Sequence, residues 1–429
     1  MGELLTTPRM RLYFLGNSLS QIGDHALWLA AGIWVKELTG STSMAGLCLF
    51  FLSAGTLLSP LTGLLVDRVR RKPLILVTNS VTGLLVLSLT LVHRADQVWM
   101  IYAVMFLYGL SGTISGSATA ALLPMMVPKE LLGRANGISQ ALLQGQRLIA
   151  PALGVGLLAL YGGSAVALLD AASFAVGVAC WALIDVDEDR PSPSGTHWPR
   201  ETAAGFAFLV RTPVLRQLTV TLTAGIFVMG FFETLGIAIV TTGLHHSPSW
   251  AGVIVTAMGI TGVIGGLSAG VLVERLGPGR LTAAGLAVTG VCALVLAVPD
   301  DAVVIAGSGL LGLGLPFVTV GAITAMQLNT PNELMGRVAG VDNFLVSGGQ
   351  SLGIATGAAL MSVLPYRDLC YLVAGVLALA TLYLTTRPEQ RHGAVTAART
   401  ASTGGATVTT GGTTVSRRLV PLPLRRRRP

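Results

Sequence analysis

Six ionisable side chains interrupt long apolar stretches of this sequence: Asp24, His25, Arg147, Asp170, Glu233 and Asp342. A charge placed in such a setting is costly to keep, so each is a functional candidate by default. Asn17, Gln21, Asp24 and His25 fall at i, i+4, i+7 and i+8, which puts them on one face of a helix. Gln140, Gln144 and Arg147 repeat the i, i+4, i+7 spacing, and Asn343, Ser347 and Gln350 repeat it again 203 positions later. Two roles fit such stripes: lining a path for substrate or protons, or hydrogen bonding to neighbouring helices. Asp24 is the deepest acid, about eleven residues from either end of its stretch and roughly 16 Å from each at 1.5 Å per residue. A carboxyl there is placed to load and release a proton, with His25 beside it and Glu233 as the second candidate. Arg147 keeps its charge and needs a carboxylate, carbonyl or water; Asp24, Glu233 and Asp342 all remain open as its partner. Asp170 reads as structural, and Asp342, near the end of its stretch, as solvated.

A second group of charges lies between apolar stretches. Gly63, Asp67, Arg68, Arg71 and Lys72 form G-x-x-x-D-R-x-x-R-K. Asp67 stands at the C-terminal end of a helical stretch, where the helix dipole disfavours an acid. Arg68, Arg71, Arg134 and the start of the helix near Gly336 are the candidates to offset that cost. The pattern recurs: Gly270, Glu274 and Arg275 echo Gly63, Asp67 and Arg68 207 positions later. Pro128, Glu130, Leu131, Gly133, Arg134 and Gly137 return 203 positions on as Pro331, Glu333, Leu334, Gly336, Arg337 and Gly340. Two matches in the same order indicate a duplicated unit.

The elements that must hold these groups follow from composition. Of 429 residues, 52% are hydrophobic and 11% charged, with 53 glycines and a mean hydropathy of +0.71. Soluble domains carry about 25% charged residues, so the chain is an all-α integral membrane protein with the lipid bilayer as its partner, and nucleic-acid binding is excluded despite the net charge of +8. About 20 apolar residues cross the bilayer. Twelve windows qualify, at about 13–35, 43–66, 74–93, 98–123, 138–161, 164–184, 214–241, 248–273, 281–298, 302–325, 339–363 and 368–386. The reading is two six-helix pseudo-repeats: residues 1–184 and 214–388, joined by a linker at 185–213 and followed by a basic, disordered tail at 389–429. Residues 202–211 suit either a short amphipathic surface helix or a solvated connector. Before the tail, fifteen Lys and Arg fall on one side, against Lys36, Arg94 and Arg367 on the other. By the positive-inside rule both termini are cytoplasmic. The four cysteines are scattered with no C-x-x-C pair, so no metal site is expected. No phosphate-binding lysine motif occurs, which removes ATP as the energy source; no cofactor is expected, and an ion gradient, most simply protons, remains. The cavity would be largely apolar, with Met229, Phe231, Phe232 and Phe317 either lining it or packing elsewhere.

GLLVDRVRRK at 63–72, in the second inner loop of a twelve-span chain, resembles the signature of the major facilitator superfamily. Gly23-Asp24 in span 1, Leu38-Thr39-Gly40-Ser41 before span 2, and Asp170-Ala-Ala-Ser173-Phe174 in span 6 resemble its branch of bacterial macrolide and enterobactin exporters. Span 4, by contrast, reads FLYGLSGTISGSA with no basic residue, and span 5 keeps only Ala150, Pro151, Gly154 and Gly156 of the antiporter pattern. The resemblance implies alternating access between the two halves, with the cluster around Gly63, Asp67, Arg68, Arg71, Arg134, Glu274, Arg275 and Arg337 as a latch. It further implies a proton-coupled antiporter in the bacterial plasma membrane, exporting a hydrophobic or amphipathic small molecule as a monomer. A nutrient-uptake symporter and a non-transporting receptor are the alternatives.

Overall fold

The computed structural model describes residues 2–188, 198–247 and 250–390, and only the backbone of Glu233. Most of the expected tail and the centre of the linker thus lie outside the described residues. Among the described residues there is no strand, and all twelve windows are helical. Span 1 is Pro8–Thr39, opened by proline in its first turn and closed by Gly40 at φ 72°. Span 2 is a bent pair, Thr42–Thr56 and Ser59–Arg68, with 44° between its parts. The break precedes Pro60, which has no N–H to give the preceding turn. Spans 3 to 6 are Arg71–Ser88, Val98–Met126, Leu132–Tyr161 and Gly163–Leu183. Span 7 runs Pro213–Met229, then Phe231–Ala238 and the π-helical turn Ile239–Gly243. Spans 8 to 12 are Ala251–Leu276, Pro278–Val295, Asp301–Asn329, Met335–Leu360 and Tyr366–Thr386. Gly162 and Gly277, at φ 77° and 80°, reverse the chain between spans 5 and 6 and between spans 8 and 9 in a single residue.

Eight of these helices are apolar and long enough to cross a bilayer by themselves; the bent pair of span 2, and Pro213–Met229 taken together with the helix that precedes it at Ala203–Arg211, raise the number to ten. Spans 1 and 11 are long enough, at 32 and 26 residues, but their polar stripes lower their hydropathy.

The two halves pack alike. Span 1 lies on spans 5 and 6 and span 2 on span 4, while span 7 lies on spans 11 and 12 and span 8 on span 10. Phe231 is a fully buried core residue of the second half, with Met229 and Phe232 packed on the same cluster. Phe317 packs against Ala269, Val273, Leu281 and Val320. These four side chains therefore pack between helices. The halves meet along two seams, span 2 against span 11 and span 5 against span 8. Each is built on glycine: a Cβ on Gly340 would stand 2.5 Å from the Ser59 carbonyl oxygen, and one on Gly137 2.6 Å from the Gly270 Cα. These contacts, with Gly63 against the Gly336 carbonyl, lie at the ends of the spans that carry the charged loops.

Within the linker, Trp198–Arg211 is helical and turns by 103° into span 7. It buries Leu209 against Leu215 and Val341, with Phe208 beside them. Gly205 lies against Arg337. Of the two readings of residues 202–211, the structure has the helix.

Candidate functional site

The charged loops converge where the seams close. The first turn of span 11 leaves its backbone N–H groups unpaired within the helix, and Asp67 fills that position from span 2. Its carboxylate accepts from the Gly336 N–H at 2.8 Å and the Arg337 N–H at 2.9 Å. Arg337 Nε lies 3.4 Å and Arg71 Nη2 3.8 Å from the same carboxylate, whose side chain is 0% exposed. Arg71 also donates to the Asn332 carbonyl across the seam at 2.5 Å. A Cβ on Gly336 would stand 2.6 Å from Asp67 Oδ1, so glycine makes room for the acid. The N-terminus of span 11 meets the dipole cost that Asp67 carries at the end of span 2.

Arg134, one of the residues considered for Asp67, lies instead on Glu274, with Nε at 2.6 Å. The reason is the repeat: Arg134 and Arg337 are 203 positions apart, and Glu274 stands where Asp67 does. The longer glutamate reaches the guanidinium; the shorter aspartate enters the helix end. Arg68 and Arg275 are exposed on the same side. Beside this pair, Asn136 of span 5 donates to Thr324 and Gln327 of span 10 at 2.9 and 2.7 Å, all three buried. That inter-half contact was not read from the sequence, although Asn136 stands four residues before Gln140 and continues its stripe.

Asn17 and Gln21 are half-buried, and the Gln21 carbonyl lies 2.8 Å from His25 Nδ1. Asp24 points into the first half and takes a short hydrogen bond from Tyr108 of span 4. The same hydroxyl lies 3.2 Å from Asp170 of span 6. Asp24, His25, Trp28, Leu52, Met105 and Tyr108 border a cavity of about 150 Å³. Asp24 thus faces a pocket among spans 1, 2 and 4. Tyr108 and Asp170 were missed as partners: sequence spacing holds no record of contacts between spans 1, 4 and 6. The nearest signal was the lone tyrosine in FLYGLSG.

On span 5, Gln144 is buried against Gly262 of span 8 and accepts from Arg147 Nη1 at 3.2 Å. Gln140 is half-buried and Arg147 exposed. On span 11, Asn343 Oδ1 accepts from Ser347 at 3.1 Å, while Gln350 is exposed. The Glu233 side chain lies outside those described. Asp342 is half-buried under Leu209 and Leu215, with Thr219 Oγ1 at 3.4 Å. The linker helix gives it more cover than a solvated position has. Among the described residues no group of three His, Cys, Asp or Glu side chains is placed to hold a metal ion.

The family model of the Major Facilitator Superfamily matches residues 13–354 and 234–428. The chain belongs to the Major Facilitator Superfamily. It is a multi-pass membrane transporter on this fold. Among its relatives, the enterobactin exporter EntS of Escherichia coli (strain K12) is 26% identical over 427 residues, covering 91% of this chain and 95% of that protein. EntS of Citrobacter koseri is 25% identical over 371 residues, 84% of this chain and 86% of the relative. A bacterial homologue of the iron transporter ferroportin, in an outward-facing state, superposes with a TM-score of 0.72 at 17% identity, over 88% of this chain and 98% of that one. The human organic anion transporter MFSD10 gives 0.72 at 15% identity, over 87% and 98%. These superpositions concern the fold.

Proposed function

We propose that this transporter exports an amphipathic, siderophore-like organic molecule from the bacterial cytoplasm, driven by inward movement of protons. The observation that carries the export reading is the similarity to enterobactin exporters along nearly the whole chain. Arginine-rich loops on one side support cytoplasmic termini. In that orientation both glycine seams and the Asp67 contacts close the cytoplasmic end, the arrangement expected of an outward-facing state. Residues 1–184 and 214–388 then rock as two bodies about the linker at 185–213, within a single working monomer.

The latch has a physical basis. Asp67 can occupy the first turn of span 11 only while spans 2 and 11 touch, so its two charge-assisted hydrogen bonds belong to one state of the cycle. Arg134 with Glu274 does the same for the other seam. Proton coupling is placed on Asp24, a carboxyl inside the bundle at the edge of a cavity, where alternating access can change its contact with water. The test is export of a catecholate siderophore from cells overproducing the protein. Accumulation outside the cell that collapses with the proton gradient supports the reading; uptake, or flux indifferent to the gradient, opposes it.

A further inference from the structure

The Tyr108 hydroxyl has one hydrogen and lies between two carboxyl groups. It hydrogen bonds to Asp24 Oδ1 and stands 3.2 Å from Asp170 Oδ2. It can donate to only one of them. The second contact is a hydrogen bond only if that carboxyl carries a proton and donates it to the phenol oxygen. The other Asp170 oxygen is within reach of the Ser173 hydroxyl at 3.2 Å. Asp170 is 0% exposed, and a Cβ on Gly23 would collide with it and Ser173. Asp24 and Tyr108 border the cavity, whereas Asp170 is not part of its wall. The groups facing the cluster are otherwise few. Span 1 adds His25, bound to the Gln21 carbonyl, and span 5 brings Arg147 into electrostatic reach of His25. Span 2 presents Leu52, span 4 Met105 and span 6 Phe174, whose ring meets the Tyr108 ring edge-on. Among the described residues no Lys or Arg forms an ion pair with Asp24 or Asp170. The repeat-related position of Tyr108, 203 residues on, is Leu311, so the arrangement belongs to the first half alone.

We infer that Asp24, Tyr108 and Asp170 share the transported proton, exchanged with the cavity at Asp24 and stored on Asp170. In the loaded form Asp170 donates to Tyr108, which donates to the Asp24 carboxylate. For release, the phenol proton moves to Asp24 while the Asp170 proton moves to the phenol oxygen. Tyr108 is neutral before and after, and Asp24 then gives its proton to cavity water. Asp170 holds the proton itself but exchanges it with the cavity only through Tyr108 and Asp24.

The inference rests on the proton-driven reading, and three variants separate the two. In proteoliposomes carrying a catecholate siderophore, Asp170→Asn and Tyr108→Phe should retain substrate exchange at zero gradient and lose flux driven by an imposed pH gradient. A merely structural role would lower both together. If Asp24→Asn loses driven flux while both other variants keep it, the shared proton is overturned and Asp24 alone couples. If Asp24→Asn also keeps driven flux, the coupling reading itself falls, and the inference with it. Infrared spectra of the wild-type protein at neutral pH give a readout independent of any variant's folding. A protonated carboxyl band that shifts in heavy water is expected, and its absence overturns the inference.

Discussion

Replacing Asp67 by asparagine keeps the shape of the side chain and removes what fits it to its position. The carboxylate offers one oxygen to each of two N–H groups, at 2.8 and 2.9 Å. An amide offers one oxygen and turns an NH₂ toward the second donor. One charge-assisted hydrogen bond is lost, worth about 1.5–3 kcal/mol. The attraction between a negative charge and the helix N-terminus goes with it, about 0.3–2 kcal/mol. Together these come to about 3 kcal/mol against the closed seam, or roughly a hundredfold in the closed-to-open ratio. The side chain is 0% exposed, so water does not replace what is lost. The change is read as a distance between fluorophores on single cysteines at Lys129 and Glu333, loop positions in opposite halves, after removal of the four native cysteines, all buried. Asp67→Asn should move the population toward the longer distance while membrane levels stay normal. An unchanged distribution would refute the assignment of Asp67 as a state-specific contact.

Further outcomes follow from the same geometry. Glu274→Gln breaks an ion pair whose members are 32% and 26% exposed; pairs so placed are worth about 0.2–1 kcal/mol, so the same distance should shift only a few-fold in population. Gly137→Ala drives a methyl into the Gly270 Cα and should open the span 5–span 8 seam, whereas Gly112→Ala, with nothing within 4 Å, should leave fluorescence and transport unchanged. Arg147→Met should lower transport more than Gln140→Leu, measured as initial export rate at matched expression. Cysteines replacing Arg94 and Arg211, both exposed, should react with an impermeant reagent from opposite sides of intact cells; labelling of position 211 from outside would reverse the topology.

Much of the fold was legible because spanning helices are written locally. Twenty apolar residues between charges or glycines mark a helix wherever it packs, and the observed limits differ from the twelve windows by a few residues, mostly where a helix extends past the apolar stretch, as span 1 does through Arg9 and Lys36. The repeat made distant pairs legible too: an offset of 203 already related Arg134 to Arg337 before either had a partner. Contacts set by tertiary packing were not legible. Helical periodicity put Asp24 and Asn17 on one face, but it holds no record of which helices stand opposite at each level of that face, here Tyr108 of span 4 with Asp170 of span 6 beside Asp24. Asp170 read as structural because it lies on an outer span, and only the depth to which Gly23 admits span 6 brings it to Asp24. Asn136 escaped notice although it lies four residues before Gln140 on the same face, because it falls just ahead of the apolar window that begins at 138.

The account turns on whether protons drive this transporter through Asp24. The most direct measurement is proton movement itself, in inside-out vesicles energised to an acid interior and reporting through a pH-sensitive dye. Adding a catecholate siderophore outside should dissipate part of the gradient with wild-type protein and leave it intact with Asp24→Asn. A gradient indifferent to the siderophore with wild-type protein that is shown to move it, or equal dissipation by the two proteins, would contradict the account.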